Sequence, residues 1–522
     1  MMLRAFGRIA GTAISAVLLV APRAALPAAS PSLAEVLAGY RAAVDEPGAA
    51  RFDRFEARGS LSGGGLTGAF HTWQDRDRAR EDENLGPRKE TTLRLGERVF
   101  YANADGNVRE FTGIMLRRDR TERFIDSGDF AKAPERCQFR GRTAIDGRSV
   151  YALDVSAAGG ETQTLYLDAQ TFLPARAGYD DDDGRTTIDF SDWRSVQGHR
   201  FPFRIVISDG DHEFDVTQKT DELQIDRDIQ PAVFRPLVAR TIEMAAPQTV
   251  RLTSREGHLF APVTIAGRQY NFLVDTGAQN ILVDAHVARE AGLAAGGSLQ
   301  ASGATRVGGL QVARLDALTV GNGTLRDLVV TTLDLGRSTS GAFRIDGILG
   351  YPFFAEATVT IDVARSSMTF GPPGSIAPPG TKIPIETDRA FPEARFHING
   401  TIDAAFIVDT GNAGEILFYK PFIDRHPSVV PPSVTSMRHA YGIGGATSSY
   451  SSSLDEIDVA GYAIYHSQAD VMLATRGAFA DRFDAGNVGL GVLRNFIVTF
   501  DLSADALYFE RGSAFDDGRR RV

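Results

Sequence analysis

A hydrophobic run that enters an acid-hydroxyl-glycine turn occurs twice in this chain of 522 residues. Residues 272–277 read Phe-Leu-Val-Asp-Thr-Gly, and residues 406–411 read Phe-Ile-Val-Asp-Thr-Gly. An ionised carboxylate at the end of a buried apolar strand is costly unless it has a partner. Two carboxylates in contact ease that cost because they share one proton. The repeated turn therefore predicts that Asp275 and Asp409 stand opposite each other.

The two turns lie within a longer repeat. Residues 258–370 and 395–509 share landmarks in the same order and at similar spacing. The landmarks are the predicted hairpins 263–267 and 396–400, the two Asp-Thr-Gly turns, the segments Asp346-Gly-Ile-Leu-Gly350 and Asn487-Val-Gly-Leu-Gly491, and the late strands 359–363 and 498–502. The pattern indicates duplication of a unit of about 115 residues, in which each hairpin delivers one aspartate. Within the third pair of landmarks, Ile348-Leu-Gly350 and Gly489-Leu-Gly491 predict a strand that packs across each aspartate loop.

Each residue type in the motif has a physical role in a paired-acid site. A water held between two carboxylates can lose a proton to the ionised member, while the protonated member donates to the carbonyl oxygen of a scissile bond. Glycine after threonine allows a tight turn and lets its backbone N–H approach the carboxylate. A threonine hydroxyl can donate to the backbone of the opposite turn and lock the two loops together. The motif therefore predicts acid-base hydrolysis by one pair of aspartates.

These motifs, together with the glycine-rich run Tyr441-Gly-Ile-Gly-Gly445, resemble the pepsin and retroviral-type aspartic protease superfamily, in particular its bacterial retropepsin-like group. The resemblance covers about residues 250–512. It implies that Asp275 and Asp409 are the catalytic pair. It further implies catalytic-loop support by Thr276, Gly277, Thr410 and Gly411, and a substrate flap formed by Tyr441, Gly442, Ile443, Gly444 and Gly445. In the first copy, Thr305-Arg-Val-Gly-Gly309 occupies a place similar to the flap.

The residue after each glycine breaks the symmetry of the repeat. Members of the superfamily commonly carry Ser, Thr or Ala there; Ala278 fits this pattern, whereas Asn412 departs from it. An amide at this position can hydrogen-bond a carboxylate, which would make one aspartate the preferred proton carrier. The departure also leaves open a degenerate domain that binds peptide without cutting it.

The region before residue 245 has a different pattern. Residues 32–47 carry apolar residues at helical spacing and end at a proline, which predicts one helix. Short alternating segments follow, such as Thr162-Gln-Thr-Leu-Tyr-Leu-Asp168, and predict an antiparallel sheet with one solvated face. The segments 167–176, 189–194 and 200–203 have strand-turn-strand patterns, through which about residues 35–235 resemble the outer-membrane lipoprotein carrier family. The resemblance implies a curved sheet around a helix and a groove for lipid or lipoprotein; a scaffold or substrate-presenting module is the alternative.

The first thirty residues predict a signal peptide. Arg4 and Arg8 precede an apolar run over 9–21, and small residues follow over 24–30. An uncleaved N-terminal anchor is the alternative. We therefore expect a periplasmic or secreted protein, without a transmembrane span after signal cleavage. Cys137 is the lone cysteine, so no internal disulfide is expected.

We expect a mainly β fold divided into a signal peptide over 1–30, an N-terminal β-rich lipoprotein-carrier-like domain over 31–245, and aspartic protease lobes over 246–380 and 381–522. The N-terminal domain is expected to be a curved antiparallel sheet with a helix. The lobes are expected to be tandem retropepsin-like β-barrels that form a pseudo-twofold bilobal acid protease fold. A monomer is expected because one chain carries both acids.

Charge and spacing argue against several other classes. The net charge is −10, without the basic stripe that tracks phosphates, so no nucleic-acid partner is expected. The run of four aspartates over 180–183 lacks the calcium-loop pattern and predicts a solvated hairpin turn. We expect no metal and no cofactor, because no close metal-spaced set is formed by His286, His397, His426, His439 and His466.

The sequence leaves two functions open. The first is an aspartic endopeptidase that hydrolyses peptide bonds in peptide or protein substrates. The second is a non-catalytic envelope carrier of lipid, lipoprotein or peptide with a degenerate protease-like region. A glycosidase also uses two carboxylates, but these are not expected at symmetric Asp-Thr-Gly turns within a repeat.

Overall fold

Alternating polar and apolar residues fold most of the described chain into β-strands, which confirms the expected mainly β class. The computed structural model describes residues 31–181, 184–302, 306–337, 343–430, 436–442 and 445–519. The predicted signal peptide lies outside these residues. Within them, no helix is long and apolar enough to cross a membrane.

Two units make up the described residues. The first contains the residues up to Leu85, together with Thr91–Phe100 and Phe111–Pro236. The second contains Gly86–Glu90, Tyr101–Glu110 and the residues from Leu237 onward. The domain limits expected from the sequence and the bilobal pseudo-twofold arrangement stay predictions.

The first helix, α1 (Leu33–Val44), begins at a capping box. Ser32 Oγ accepts a hydrogen bond from the Glu35 N–H at 3.3 Å, and the Glu35 carboxylate accepts one from the Ser32 N–H at 2.7 Å. Reciprocal caps satisfy two N–H groups that the first turn of a helix leaves free. The predicted helix is confirmed except at its C-terminal end, because Asp45 leaves the helix and its carboxylate contacts His199 Nδ1 at 2.8 Å.

The first sheet follows the chain as a meander. Its strands are β1 (Arg54–Gly63), β2 (Leu66–Asp75), β3 (Arg78–Leu85), β4 (Arg88–Leu95), β5 (Arg98–Ala102), β6 (Val108–Glu110), β7 (Cys137–Ile145), β8 (Arg148–Val155), β9 (Gln163–Asp168), β10 (Pro174–Asp180), β11 (Arg185–Val196), β12 (His199–Ser208) and β13 (Val216–Ile225), with helix α2 (Ile114–Asp126) between β6 and β7. Among these strands, every hydrogen-bonded pair is consecutive in the chain except β1 with β13. Strands β10 and β11 pair antiparallel with Asp180 opposite Arg185, and the predicted turn between them includes Asp182 and Asp183, which lie outside the described residues.

The second unit contains the two copies of the repeat. Its strands are β14 (Gln248–Arg251), β15 (Thr253–Arg255), β16 (His258–Ile265), β17 (Arg268–Val274), β18 (Leu282–Asp284), β19 (Ala295–Ser302), β20 (Arg306–Val320), β21 (Gly323–Leu333), β22 (Gly347–Leu349), β23 (Thr358–Asp362), β24 (Ser367–Gly371), β25 (Thr381–Glu386), β26 (Glu393–Ile398), β27 (Ile402–Val408), β28 (Ile416–Phe418), β29 (Ser436–Gly442), β30 (Gly445–Val459), β31 (Tyr462–Met472), β32 (Gly486–Val488), β33 (Phe496–Asp501) and β34 (Ala506–Arg511). Its helices are α3 (Ala285–Glu290), α4 (Tyr351–Glu356), α5 (Lys420–Arg425) and α6 (Leu490–Leu493).

The copies have the same strand order. The first runs β16-β17-β22-β18-β21-β20-β19 across its sheet, and the second runs β26-β27-β32-β28-β31-β30-β29. Their late strands β23 and β33 pair antiparallel, with Val359 opposite Phe500. One buried apolar cluster contains Val274 of the first copy and Val408 of the second. The duplication is therefore present in the fold, and the two copies share a core.

One predicted correspondence between the copies is wrong by two residues. Strand β22 runs parallel to β17 with Ile348 opposite Leu273, and β32 runs parallel to β27 with Asn487 opposite Ile407. Asn487 therefore matches Ile348 and not Asp346. The Gly-Leu-Gly pattern suggested the wrong correspondence because in the second copy it lies at the start of helix α6. The strand before this helix places the amide of Asn487 where the first copy has the apolar side chain of Ile348.

Two buried carboxylates of the second unit lie apart from the repeated turns. Glu356, the last residue of α4, accepts a hydrogen bond from the side-chain amide of Asn107 at 3.1 Å. Asp105 accepts one from the Val329 N–H at 2.7 Å. Burial raises the pKa of Glu356 to about 7 and the pKa of Asp105 to about 6, although these hydrogen bonds oppose the shifts.

We expect the second unit to lose stability as the pH rises from about 4.5 to about 7, because the folded protein holds the Glu356 proton more tightly than the unfolded chain does. The rise of the Glu356 pKa from 4.5 to about 7 corresponds to about 3 kcal/mol in the free energy of unfolding. Glu356→Gln keeps an oxygen for the Asn107 amide without the charge. Calorimetry between pH 4 and pH 8 should show that the melting temperature of this variant falls less with rising pH than that of the parent protein. Glu256→Gln is the control, because Glu256 is exposed, and its melting temperature should depend on pH as in the parent protein. The same pH dependence in Glu356→Gln would contradict the raised pKa of Glu356.

Candidate active site

Two hairpins carry the repeated aspartates. Strands β16 and β17 are joined at Ala266 and Gly267, whose φ angles are 49° and 77°. Strands β26 and β27 are joined through Asn399 and Gly400, whose φ angles are 48° and 62°. Left-handed backbone at these positions closes a tight hairpin. Both predicted hairpins are confirmed, and each return strand ends one residue before an Asp-Thr-Gly turn.

A short parallel strand supports each turn. The Asp275 N–H donates to the Leu349 carbonyl on β22 at 3.2 Å, and the Asp409 N–H donates to the Val488 carbonyl on β32 at 2.9 Å. This confirms the predicted second strand in the first copy, whereas in the second copy the predicted segment 489–491 enters α6 and the supporting strand is β32 just before it. The backbone position of each aspartate is thereby fixed from within its own copy.

The threonines bond each turn to the other copy. Thr276 Oγ1 donates to the Val408 carbonyl at 2.6 Å and accepts from the Thr410 N–H at 3.0 Å. Thr410 Oγ1 donates to the Val274 carbonyl at 2.9 Å and accepts from the Thr276 N–H at 3.0 Å. Both side chains are 1% exposed. These reciprocal buried hydrogen bonds hold the two turns in one fixed arrangement.

The glycines let each carboxyl group lie against the opposite turn. The Gly277 N–H donates to Asp275 Oδ1 at 2.9 Å, and the Gly411 N–H donates to Asp409 Oδ1 at 2.8 Å. A β-carbon added to Gly277 would lie 2.7 Å from Asp409 Oδ1, and one added to Gly411 would lie closer still to the Asp275 carboxyl. Any larger residue would displace the facing aspartate. The two aspartates are in hydrogen-bond contact across the pair of turns.

Burial and mutual contact change the acidity of both aspartates. Burial raises the pKa of Asp275 well above its ordinary range, and the negative charge of Asp409 raises it further. Burial also raises the pKa of Asp409, but the Gly411 N–H and the hydrogen bond from Asp275 act in the opposite direction. This balance favours the proton on Asp275 and the charge on Asp409, and the pair titrates as one unit.

Side-chain amides stand beside Asp409. Asn487 Nδ2 donates to Asp409 Oδ2 at 2.8 Å, and Asn412 Nδ2 donates to Asn487 Oδ1 at 2.7 Å. Ile348 and Ala278 hold the matching places in the first copy and pack in an apolar cluster. The sequence identified Asn412 as the asymmetric residue but missed Asn487 because of the two-residue misalignment. A single amide inside an otherwise apolar strand is the signal that finds it.

His258 is a second residue that the sequence did not single out. It lies at the start of β16 and hydrogen-bonds the backbone of Gly411, and burial lowers the pKa of its imidazole. An imidazole whose neutral form is favoured by burial therefore adjoins the turn that carries Asp409. No local pattern marks this contact, because it joins a strand of the first copy to a turn of the second.

The predicted substrate flap falls partly outside the described residues. Strands β29 and β30 pair with Gly442 opposite Gly445. Ile443 and Gly444, between them in the chain, are outside the described residues. In the first copy, the comparable run begins at Thr305, which is also outside them, and continues along β20.

The other candidate groups do not converge on a site. In the described part of the chain, no cluster of three or more His, Cys, Asp or Glu side chains is suited to a metal ion. His286 contacts the carboxylates of Asp284 and Asp346 and belongs to α3. Burial raises the pKa of the Cys137 thiol to about 11, which disfavours the nucleophilic thiolate.

Comparison with known proteins identifies a protease-like region. Residues 261–353 match the aspartyl protease family model, so this part of the chain, which includes Asp275, is aspartyl protease-like. No curated protein sequence matches the chain.

Solved structures similar to this chain include proteins of three organisms. A DUF1329 family protein from Desulfovibrio piger is 18% identical over 38% of this chain and 97% of its own, with a TM-score of 0.28. A LolA superfamily protein from Nitrosomonas europaea is 15% identical over 40% of this chain and 99% of its own, with a TM-score of 0.26. A putative outer membrane lipoprotein-sorting protein domain from Vibrio parahaemolyticus is 12% identical over 38% and 95%, with a TM-score of 0.26.

Replacing Thr410 by valine is expected to lower the free energy of unfolding of the second unit by roughly 2 to 5 kcal/mol, because it leaves the Thr276 N–H and the Val274 carbonyl buried without their partner. Thr410→Ser keeps the hydroxyl and is the matched control, with an expected loss of about 1 kcal/mol for one methyl group. Urea unfolding followed by circular dichroism measures both losses. Equal losses in the two variants would show that the hydroxyl bonds do not hold the turns together.

Proposed function

We propose that the protein is an aspartic endopeptidase that hydrolyses peptide bonds with water activated between Asp275 and Asp409. The observation that supports the proposal most strongly is the contact between these two carboxyl groups, each placed over the glycine of the opposite turn. The aspartyl protease match over residues 261–353 supports the same reaction class.

In the proposed first step, the ionised carboxylate of Asp409 accepts a proton from the bound water. The oxygen of that water attacks the carbonyl carbon of the peptide bond, and the protonated Asp275 donates its proton to the carbonyl oxygen. The product of this step is a neutral tetrahedral diol, with Asp409 protonated and Asp275 ionised. Paired acids suit this reaction because one accepts a proton while the other donates one.

In the proposed second step, Asp409 donates its proton to the nitrogen of the leaving amine, and Asp275 recovers a proton from the diol. The C–N bond breaks, and a carboxylic acid and an amine are released. The pair returns to its starting state with one shared proton. The threonine bonds and the glycine N–H groups hold both carboxyl groups in place through the cycle.

We further propose that the hairpin of β29 and β30 acts as a flap over the substrate, with Tyr441 to Gly445 at its tip. A single chain supplies both acids, so the proposed active species is a monomer that needs no cofactor. The arginines and apolar run near the N-terminus support export through a signal peptide. We therefore propose that the enzyme acts in the periplasm or after secretion.

Asp275→Asn and Asp409→Asn are each expected to reduce peptide cleavage by about 1,000-fold or more, because each removes one member of a coupled acid-base pair. The measurement is mass spectrometry of a diverse peptide mixture after incubation with each purified variant. Asp403→Asn is the matched control, since Asp403 lies on the same strand β27 but is exposed and pairs with Arg395. It should cleave at the parent rate. Full activity in either Asp275→Asn or Asp409→Asn would contradict the proposal.

Lipid or lipopeptide binding is a second candidate function, favoured by a cavity in the first unit. The cavity has a volume of about 870 Å³, and helix α1 contributes to its wall. Its lining includes aromatic rings and arginines, among them Phe55, Phe70, Phe190, Trp193, Arg94, Arg120 and Arg123. The lining combines apolar rings with many charged side chains, and a cavity of this size and mixed character suits an amphiphilic ligand.

Filling this cavity should weaken lipid binding. Ala57 lies on β1 and lines the cavity, so Ala57→Trp is expected to weaken binding of a fluorescent fatty acid by about 10-fold or more through steric exclusion. Ala69→Trp is the control, because Ala69 is exposed on neighbouring strand β2 and does not line the cavity. A fluorescence titration compares the two variants. Unchanged binding in Ala57→Trp would show that the lipid binds outside this cavity.

A further inference from the structure

The side-chain amides beside Asp409 form a chain whose direction is set by the backbone. The Gly414 N–H donates to Asn412 Oδ1 at 2.8 Å. Asn412 Nδ2 then donates to Asn487 Oδ1 at 2.7 Å, and Asn487 Nδ2 donates to Asp409 Oδ2 at 2.8 Å. A backbone N–H can only donate, so it orients the first amide, and the first amide orients the second. The group that reaches Asp409 is therefore a donor.

Asp409 accepts hydrogen bonds at both of its oxygens. Oδ1 accepts from the Gly411 N–H at 2.8 Å and from the Asn412 N–H at 3.2 Å, and Oδ2 accepts from Asn487 at 2.8 Å. Donors at both oxygens favour the ionised carboxylate over the protonated acid. Asn487 is 3% exposed, and a hydrogen bond in such surroundings has more electrostatic weight than one in water.

The first copy has apolar side chains in the places of the two amides. Ile348, which matches Asn487, is 3% exposed and packs in a cluster with Phe260 and Leu273. Ala278, which matches Asn412, packs against the same cluster. Neither side chain can donate a hydrogen bond to Asp275. At these two positions beside the acids, the copies therefore differ in their capacity to donate hydrogen bonds.

We propose that the relay from Gly414 through Asn412 and Asn487 fixes the negative charge of the pair on Asp409 and leaves the proton on Asp275. The inference rests on the proposed peptidase function and assigns its roles: Asp409 is the base that takes the proton of water, and Asp275 is the acid that protonates the carbonyl oxygen. Asn487 is a positioning residue, because it acts on the reaction through Asp409.

Other titratable groups near Asp409 do not supply this asymmetry. His258 reaches the backbone of Gly411, and burial lowers its pKa, which favours its neutral form. Burial and the charges of nearby carboxylates raise the pKa of Tyr419 well above its ordinary range, so its phenol is also neutral. The nearby Arg389 is ion-paired with the carboxylates of Glu393, Asp481 and Asp484. Apart from Asp275, the donors that distinguish Asp409 are therefore amides.

The direct test measures the acidity of Asp409 without relying on catalysis. Carbon-13 NMR of aspartate-labelled protein follows the Asp409 carboxyl in an Asp275→Asn background, with the signal assigned by its loss in Asp409→Asn. Adding Asn487→Leu, which copies the apolar character of Ile348, is expected to raise the Asp409 pKa by about one unit, because a donor to the ionised form is lost. Ile348→Val is the matched control and should leave that pKa unchanged. No shift with Asn487→Leu would overturn the proposal.

A second variant tests the same proposal in case Asn487→Leu does not fold. Asn412→Ala copies Ala278 at a partly exposed position and breaks the relay one step earlier. It is expected to shift the Asp409 pKa in the same direction by a smaller amount, because the Asn487 amide loses the partner that orients it. An unchanged Asp409 pKa in this variant would likewise overturn the relay.

The pH dependence of cleavage links the relay to the reaction. With Asp275 restored, Asn487→Leu should move the acid limb of kcat/KM to higher pH by about one unit and lower kcat, with KM changed by less than about threefold. An acid limb at the parent position would contradict the assigned role. A pKa shift in a protein that cleaves no peptide would instead refute the proposed peptidase function while leaving the charge assignment intact.

Discussion

The contact between two buried carboxyl groups sets the demands on the surrounding structure of the second unit. Such a contact persists only if the backbone holds both acids close and supplies donors to whichever is ionised. The reciprocal threonine bonds meet the first demand, and the glycine N–H groups contribute to the second. The pairing of β23 with β33 and the common apolar core keep the two copies together. The repeat is thus the structural condition for the acid pair.

Symmetry brings the acids together, and in the proposed reaction the asymmetry gives them different roles. Identical surroundings would leave the shared proton without a preferred site, since either acid would bind it equally well. The amides Asn412 and Asn487 replace Ala278 and Ile348 in the second copy only, and they donate toward Asp409. On the proposed relay, the departure at Asn412 is part of the acid-base pair and not a sign of degeneracy.

Local sequence patterns predicted those parts of the fold that depend on neighbouring residues. The capped helix α1 and both hairpins before the aspartates follow from short segments whose turn and cap residues are diagnostic. The place of Asn487 was not predicted, because two similar glycine patterns lie two residues apart and only the pairing of β32 with β27 selects between them. The contact of His258 with Gly411 could not be predicted either, because it joins segments that no local sequence pattern relates.

In the proposed enzyme both acids of one chain form a single site, and complementation tests this arrangement most directly. The measurement is the rate of peptide cleavage by an equimolar mixture of Asp275→Asn and Asp409→Asn chains, beside the parent protein at the same total concentration. The account predicts cleavage by the parent protein and none above background by the mixture, since no chain in the mixture contains both acids. Recovery of activity in the mixture, or absence of cleavage by the parent protein, would contradict it.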